Sequence, residues 1–487
     1  MKRNTILNLS LYCLIAGSII SSCSKEEPKN NPKNTNVTKE TMAANNFAKD
    51  ILEYYYYWNK EIAEDIKKLD PETNDNPIKT VEEIKYHKGD KYIDKWTMLT
   101  DDMDKFTSSV EGTSKTYGFQ PVVYRLNGKD NEYVAAIAYV SENSPAQEAK
   151  LNRGDIITRI NGSVINENNY QELFYSDNIK LTLAKLNSDN KIEETGKEVS
   201  LTARTMYENP VLCDSIYEIN GKKIGYLAYS SFNLESIKEL VDISKEFKKE
   251  GVKELILDLR YNGGGYVITE NVMASMYAPQ SAVENKEVFE KEDFNENITE
   301  EYKKAGKSTV THFTTEFYYP DNNIDISTKD ANIGLTKIYG LISGNSASAS
   351  EALLGGLMPY IDVETIGQQS HGKYCTGWMI PAKEAYEKVP EEIKNWGIYV
   401  MASLYKNAKD ETPCMPDGMI PDTYIEDDPL QSYQLGDRNE AMLKVALAKA
   451  TGTYIKPDTS RSSSFGFKTI DTPKKANFGK RILLLNK

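Results

Sequence analysis

Apolar positions in the first third of the chain recur every three or four residues. Phe47, Ile51, Tyr55, Trp58 and Ile62 fall on one helical face, so residues 40 to about 105 are expected to be helical, with the tyrosine run 54–57 packed inside a helix. From about 107 to 205 the pattern changes. The short runs QPVVYRL, EYVAAIAYV, DIITRING and IKLTLAKL are rich in β-branched and aromatic residues, which predicts a small β domain. Between the second and third runs, Pro145 and Ala146 open a short helix, Asn152-Arg153-Gly154-Asp155 makes a turn, and Asn161-Gly162 signals a hairpin. From about 206 to 455 strands alternate with helices. KKIGYLAYSSF and KELILDLRYNGGG read as strands; between them Ile237, Leu240, Val241, Ser244 and Phe247 line one face of a helix closed by Gly251. KIYGLISGNSASASEALLGGL repeats the strand–turn–helix theme, and a last helix is expected over 438–450. Such alternation implies a layered α/β core. Residues 456–487, rich in Ser and Lys and with ILLL at 482–485, form a tail that the pattern assigns to no element. There is no repeat of solenoid period.

The length of 487 residues suits about three domains. A net charge of −13, with no basic stripe to offset it, excludes a nucleic-acid partner. The N-terminus reads as a targeting segment. Lys2 and Arg3 precede an apolar run over 7–20, and small residues then lead into Cys23. This is the pattern of a bacterial lipoprotein signal (1–22), cleaved before a lipidated Cys23; the apolar run is too short for a stable membrane span. Residues 23–40, polar and rich in Pro, Asn and Lys, would be a flexible tether. Glu26-Glu27 resembles the surface-export signal of some Bacteroidetes lipoproteins. The expected location is extracytoplasmic, on the outer membrane. Beyond the signal and Cys23 three cysteines remain: Cys213, Cys375 and Cys414. Either Cys375 and Cys414 pair, or all three are buried thiols; without a CxxC no zinc site is expected.

The stretch GNSASASEALLGG (344–356) alternates serine with alanine at the head of a helix. It is either a small-residue packing seam or the seat of a reactive hydroxyl. Ser348, with Glu351 three residues on, has the S-x-x-E form of a helix N-terminus. Lys373 stands between Gly372 and Tyr374 in an apolar neighbourhood. On the surface it would be an ordinary turn lysine. Buried, its pKa would fall from about 10.4 toward 7 and it would take a proton from a serine. Gly263-Gly264-Gly265 ends a buried strand; with the N–H of Ala349 it would make either an oxyanion hole or merely a tight turn. There is no G-x-S-x-G elbow and no H-E-x-x-H, and GQQSHGKY misses the phosphate-loop pattern at its last residue. His371, two residues before Lys373, is a second but weaker candidate base.

Two resemblances add to this reading. Residues 107–205, with L-x-x-G-D and I-N-G, resemble a PDZ domain. That resemblance implies that the loop Tyr117, Gly118, Phe119 and Gln120 receives a peptide's terminal carboxylate while the peptide adds as a strand. D-L-R-x-N-x-G-G, then S-A-S-A-S-E, then G-K resemble the carboxyl-terminal processing, or tail-specific, serine proteases over residues 107–450. The family likeness implies Ser348 as nucleophile, Lys373, 25 positions later, as base, and the N–H groups of Gly265 and Ala349 as oxyanion hole. It also implies an α/β core similar to the crotonase and Clp folds, with no metal or cofactor. The expected architecture is α+β and multidomain: a helical N-terminal domain (41–106), the PDZ-like domain (107–205), a protease core (206–455) and the tail (456–487). One departure stands out. Many family members carry glutamine four residues after the lysine, and this chain has Gly377. Thr376 or Tyr374 would then orient Lys373, or the pair works as a plain dyad. The expected partners are protein or peptide substrates, met through their C-termini, and the membrane through the lipid; no oligomeric state is implied. Two rival functions follow from the same residues: a peptide-binding surface lipoprotein that does not cut, and an acyl-transfer or hydratase enzyme on a crotonase-type core.

Overall fold

The computed structural model describes residues 36–126, 131–189, 191–431, 433–455, 467–475 and 478–484. Cys23 and its flanking signal and tether residues to 35 lie outside the described residues. No described helix is long and apolar enough to cross a membrane.

Two sheets make the α/β core that follows the PDZ-like region. The first runs Val211–Ile219, Lys222–Tyr229, Glu254–Asp258, Lys337–Ile342, Asp362–Gly367, Thr423–Tyr424. Its first pair is antiparallel and the rest parallel, because helices carry the chain back between strands. Ile237–Lys249 is one of these helices. It buries the five expected residues, Ile237, Leu240, Val241, Ser244 and Phe247. Ala441–Ala450 covers the opposite face through Met442, Leu443, Ala446 and Leu447. This last helix starts three residues later than expected, because the Glu440 side chain caps the N–H of Leu443 while also holding Arg260. The second sheet runs Gly264–Tyr266, Lys480–Ile482, Cys375–Pro381, Gly397–Asn407, Val288–Phe294, Val310–His312, with Met98–Thr100 paired to Gly397–Asn407.

The N-terminal segment is shorter in helix than its periodicity predicts. Lys39–Tyr55 is helical, but Tyr56 is extended, and Trp58 and Ile62 lie in turns. The cause is tertiary. Tyr57 N–H donates to the carbonyl of Met401 at 2.8 Å, and Tyr56 Oη donates to Asp94 at 2.8 Å. Both pull the chain out of the helix and onto the second sheet. Phe47, Ile51, Tyr55, Trp58 and Ile62 are nonetheless all buried, in one continuous core with the protease strands.

The PDZ-like sheet runs Ile192–Thr202, Asn178–Leu186, Ile156–Ile160, Tyr133–Val140, Phe119–Arg125 and, from the tail, Lys468–Thr469. Ser144 caps the short helix Pro145–Glu148. Asn161 and Gly162 both have positive φ, as a tight hairpin turn requires. The tail is therefore part of two sheets. Lys468 and Thr469 pair with Arg125 and Tyr124, and Gly264–Tyr266 pairs with Lys480–Ile482. Strands of two and three residues, paired with partners hundreds of positions away, leave no periodicity to read. All three described cysteines are free thiols, so the Cys375–Cys414 bridge does not form. Cys375 Sγ instead packs on Met401 Sδ, and Cys414 Sγ meets Tyr405 Oη at 3.1 Å.

Candidate active site

Glu254–Asp258 and Lys337–Ile342 are parallel neighbours. Both strands end at the same edge, where open α/β sheets place their ligands. DLRYNGGG leaves the first and GNSASAS leaves the second, and hydrogen bonds knit the two turns together. Ser346 Oγ donates to the carbonyl of Leu259 at 2.8 Å, Ser350 Oγ to that of Asn262 at 3.0 Å, and Ala347 N–H also to Asn262, at 3.0 Å. The outer two serines thus hold the turn, and Ser348 is left different from both. It has φ 65° and ψ −116°, a strained conformation for a residue with a side chain, which costs of order 1–3 kcal/mol. Its hydroxyl is fully buried and has no hydrogen-bond partner among the described residues. Ala349 opens the helix that follows, so its N–H belongs to the first turn, where no intrahelical acceptor exists.

Glu351, read from the sequence only as a cap, joins the serine turn to the lysine loop. Its carboxylate accepts from Ser348 N–H at 2.8 Å, Lys373 N–H at 2.9 Å, Gly372 N–H at 2.6 Å and Ser370 Oγ at 2.5 Å. Burial pushes its pKa up to about 7, opposed by these donors.

Lys373 is fully buried, which removes the surface-turn reading. Desolvation pushes its ammonium down to about 8. Nζ donates to the carbonyl of Cys375 at 2.7 Å and to Tyr399 Oη at 3.2 Å, and lies 5.4 Å from the Trp96 ring. Since Ser348 Oγ has no partner, serine and lysine share a turn-to-turn brace but no direct hydrogen bond. His371, also nearby, is held neutral: burial and neighbouring lysines push it down to about 4.

The glycines have the conformations that only glycine tolerates easily. Gly264 and Gly265 have φ of 106° and 148°, and a Cβ on Gly264 would lie 2.7 Å from Ser348 Cβ. Phe232 N–H donates to Gly264 O, and Tyr266 N–H to Phe232 O. Backbone groups alternate along a strand, so the amide of Gly265 faces the other side, toward the tail strand Lys480–Ile482. Gly479 N–H adds a bond to Gly263 O at 2.7 Å.

In the PDZ-like domain, Tyr117 stacks on Phe119. Gly118 N–H donates to Thr116 Oγ1 at 2.9 Å, so that amide is already bonded within its own loop. A cleft of about 450 Å³ separates the PDZ-like sheet from the protease core. It is lined by Gln120, Val122 and Tyr124 on one side, Tyr261 and Gly263 on the other, and tail residues such as Thr472. Arg153 of the PDZ-like domain bridges the two bodies, bonded to Asp427 at 2.7 Å and Tyr261 Oη at 2.5 Å. Asp427 also binds Arg260 of the D-L-R motif.

Sequence reasoning missed Tyr399, Trp96, Arg481 and the joining role of Glu351. Only Glu351 left a signal, in S-x-x-E. Thr376 and Tyr374 had been weighed as orienters of Lys373. Thr376 Oγ1 is instead committed to Glu292 at 2.9 Å and to Arg481, and the Tyr374 ring lies against Trp96.

Known proteins match this arrangement. Residues 223–425 match peptidase family S41. The carboxy-terminal processing protease CtpA of Bacillus subtilis is 24% identical over 268 residues, covering 55% of this chain and 49% of that protein. A carboxyl-terminal-processing protease of Picosynechococcus is 23% identical over 330 residues, covering 66% of this chain and 67% of that one. The chain thus spans about half to two thirds of the length of these relatives. The crystal structure of an S41 protease from Bacteroides fragilis superposes with a TM-score of 0.67 at 21% identity, covering 88% of this chain and all of that one, which shows a shared mixed α/β, multidomain fold. The chain therefore carries a peptidase family S41 domain over residues 223–425 and has the carboxyl-terminal processing proteases as its relatives.

Proposed function

We propose that the protein is a serine endopeptidase that cleaves protein or peptide substrates with Ser348 as nucleophile and Lys373 as base. The observation that carries this reading is the buried lysine, whose ammonium burial pushes down to about 8, tied through one carboxylate to the strained turn of Ser348. Lys373 Nζ takes the proton of Ser348 Oγ as that oxygen attacks the scissile carbonyl. The N–H groups of Ala349 and Gly265 would receive the oxyanion; for Gly265 this requires the tail strand beside it to yield. Lys373 then protonates the leaving amine, and water hydrolyses the acyl-enzyme. In the resting geometry Nζ donates to Cys375 O and Tyr399 Oη, so it is the Ser348 hydroxyl that has to turn toward the amine before proton transfer. The PDZ-like domain would engage substrate C-termini at Tyr117, Gly118 and Phe119, and Cys23 would carry the lipid that anchors the enzyme outside the cytoplasm.

The test uses unfolded casein with the wild type, Ser348→Ala and Lys373→Ala. Cleavage by the wild type alone is expected; equal cleavage by all three would sink the dyad. One observation favours a second reading, a peptide-binding lipoprotein that does not cut: Ser348 and Lys373 are fully enclosed and not bonded to each other. No cleavage by any of the three proteins, together with peptide binding, would select it. Lipidation is checked by mass spectrometry of the membrane-bound protein, which should lose its acyl groups in Cys23→Ala.

A further inference from the structure

Gly377 stands four residues after Lys373, and the structure shows what fills the space beside it. Gly377 lies on Cys375–Pro381, which pairs with Gly397–Asn407 so that Met379 stands opposite Tyr399 and Gly377 opposite Met401. A Cβ on Gly377 would lie 2.5 Å from Met401 Cε, the movable end of a flexible chain, and 2.6 Å from Cε2 and 2.7 Å from Cζ of the rigid Tyr399 ring. No side chain fits at 377 while that ring is present. The ring is fully buried and carries its hydroxyl to within 3.2 Å of Lys373 Nζ.

We propose that Tyr399, reaching across from the neighbouring strand, is the positioning residue for Lys373, and that position 377 is a glycine because the Tyr399 ring and Met401 take the room a side chain would need. The proposal rests on the reading of Lys373 as base.

Hydrogen counting supports it. A phenol has one hydrogen. Tyr399 Oη gives it to the carbonyl of Arg481 at 3.0 Å and accepts from Arg481 N–H at 3.1 Å. Toward Lys373 the hydroxyl is therefore an acceptor. Burial holds the phenol protonated. A neutral lysine amine has two hydrogens and one lone pair. If the hydrogens go to Cys375 O and Tyr399 Oη, its two partners here, the lone pair is the one valence left to accept the serine proton. Without the hydroxyl the amine could rotate about its last bond and present a hydrogen instead.

Other groups face the same ammonium. Asp94 and Glu351 favour its charged form and Arg481 disfavours it, with the Cys375 thiol beside it. Lys480 lies 4.5 Å from the Tyr399 ring and is itself pushed down to about 7 by burial and by Lys373. Tyr405 Oη fixes the Lys373 carbonyl at 3.2 Å. None of these donates to or accepts from Nζ.

The experiment measures single-turnover acylation of a peptide against pH for Tyr399→Phe, which keeps the ring and deletes one oxygen. We expect acylation to fall about tenfold or more, the scale of a lost hydrogen bond to a charged group, with KM within about twofold. The ascending limb should move to lower pH, because the ammonium loses an acceptor. A purely structural tyrosine would lower thermal stability and leave the limb in place. A wild-type rate and limb in Tyr399→Phe would overturn the proposal. If Tyr399→Phe does not fold, the swap decides: Gly377→Gln with Tyr399→Ala should exceed Tyr399→Ala alone, and equal rates overturn it. Lys373→Met separates the two levels. Activity in that variant removes the base assignment itself, whereas loss there with a normal Tyr399→Phe removes only the role of the tyrosine.

Discussion

Two buried ionisable groups dominate the site at the scale of single residues, and each makes a prediction. Lys373 must be neutral to accept a proton. With its ammonium pushed down to about 8, the neutral fraction, and with it the acylation rate, should rise through about pH 8 and level off above it. A stopped-flow acylation profile checks this; a rate flat from pH 6 to 10 would remove lysine as base. Glu351 accepts three backbone N–H groups and one hydroxyl in a fully enclosed place. Each buried donor left unpaired costs about 1–3 kcal/mol, so Glu351→Ala should lose about 3 kcal/mol or more in urea unfolding. Glu351→Gln, which keeps the size and one acceptor oxygen, should lose less. Equal losses would mean that packing alone matters there. The motif spacing singled out Ser348 and Lys373, whose turns the structure joins through Glu351, and S-x-x-E pointed at that glutamate. Tyr399 was hidden because the strand Gly397–Asn407 is buried on both faces. A tyrosine in such a run looks like any other core aromatic until the neighbouring strand is placed.

Elements explain what the sequence could and could not reveal. Ile237–Lys249 was readable because a helix that packs on one face keeps its own period, and the PDZ-like hairpin because Asn161-Gly162 suits only a turn with two positive φ values. The helix through Trp58 and Ile62 was overextended, because contacts from Met401 and Asp94 override local propensity. Least readable was the tail strand Lys480–Ile482. Arg481 is fully buried among Glu270, Glu290 and Glu292, bonded to Glu270 at 2.9 Å, to Glu292 at 2.5 Å and closely to Glu290. Burial raises Glu270 to about 7, and raises Glu290 as well, against the pull of Arg481. Removing one partner of a buried network strands the others. Arg481→Met should therefore cost about 3–5 kcal/mol. The sign of its pH dependence follows from the carboxylates. Without the guanidinium their folded-state pKa values lie still further above the unfolded ones, so the variant is least destabilised near pH 5 and loses stability as pH rises toward 8. Denaturant melts at both pH values check this; a cost that is the same at both would mean that Glu270 and Glu290 do not titrate in this range.

The whole molecule is closed by its own C-terminal segment, which bears on how a substrate would enter. Lys468 and Thr469 add to the strand Phe119–Arg125 antiparallel, and Ile470 N–H donates to Val123 O at 3.0 Å. The segment runs from Arg125 back toward the loop at 117–120, the direction in which a PDZ ligand adds its last residues. Ile470 packs against the PDZ-like core, as a ligand's apolar side chain would. The chain then lines the cleft through Thr472 and continues to the strand beside Gly264 and Gly265. Described tail residues thus lie along both the edge and the strand next to the serine turn. Any peptide that adds to this edge has a tethered rival, whose effective concentration reaches the millimolar range for short linkers. Ile470→Asp places a charge against an apolar core and should release the edge without touching Ser348 or Lys373. A peptide with a free carboxyl terminus is then expected to bind roughly tenfold more tightly to Ile470→Asp than to the wild type. The peptide amide should gain less, if the loop at Tyr117, Gly118 and Phe119 reads the carboxylate. Isothermal titration of both peptides against both proteins decides it. Equal affinity in wild type and variant would mean that the segment leaves the edge open in solution, and equal gains for acid and amide would mean that the edge binds backbone without reading the C-terminus.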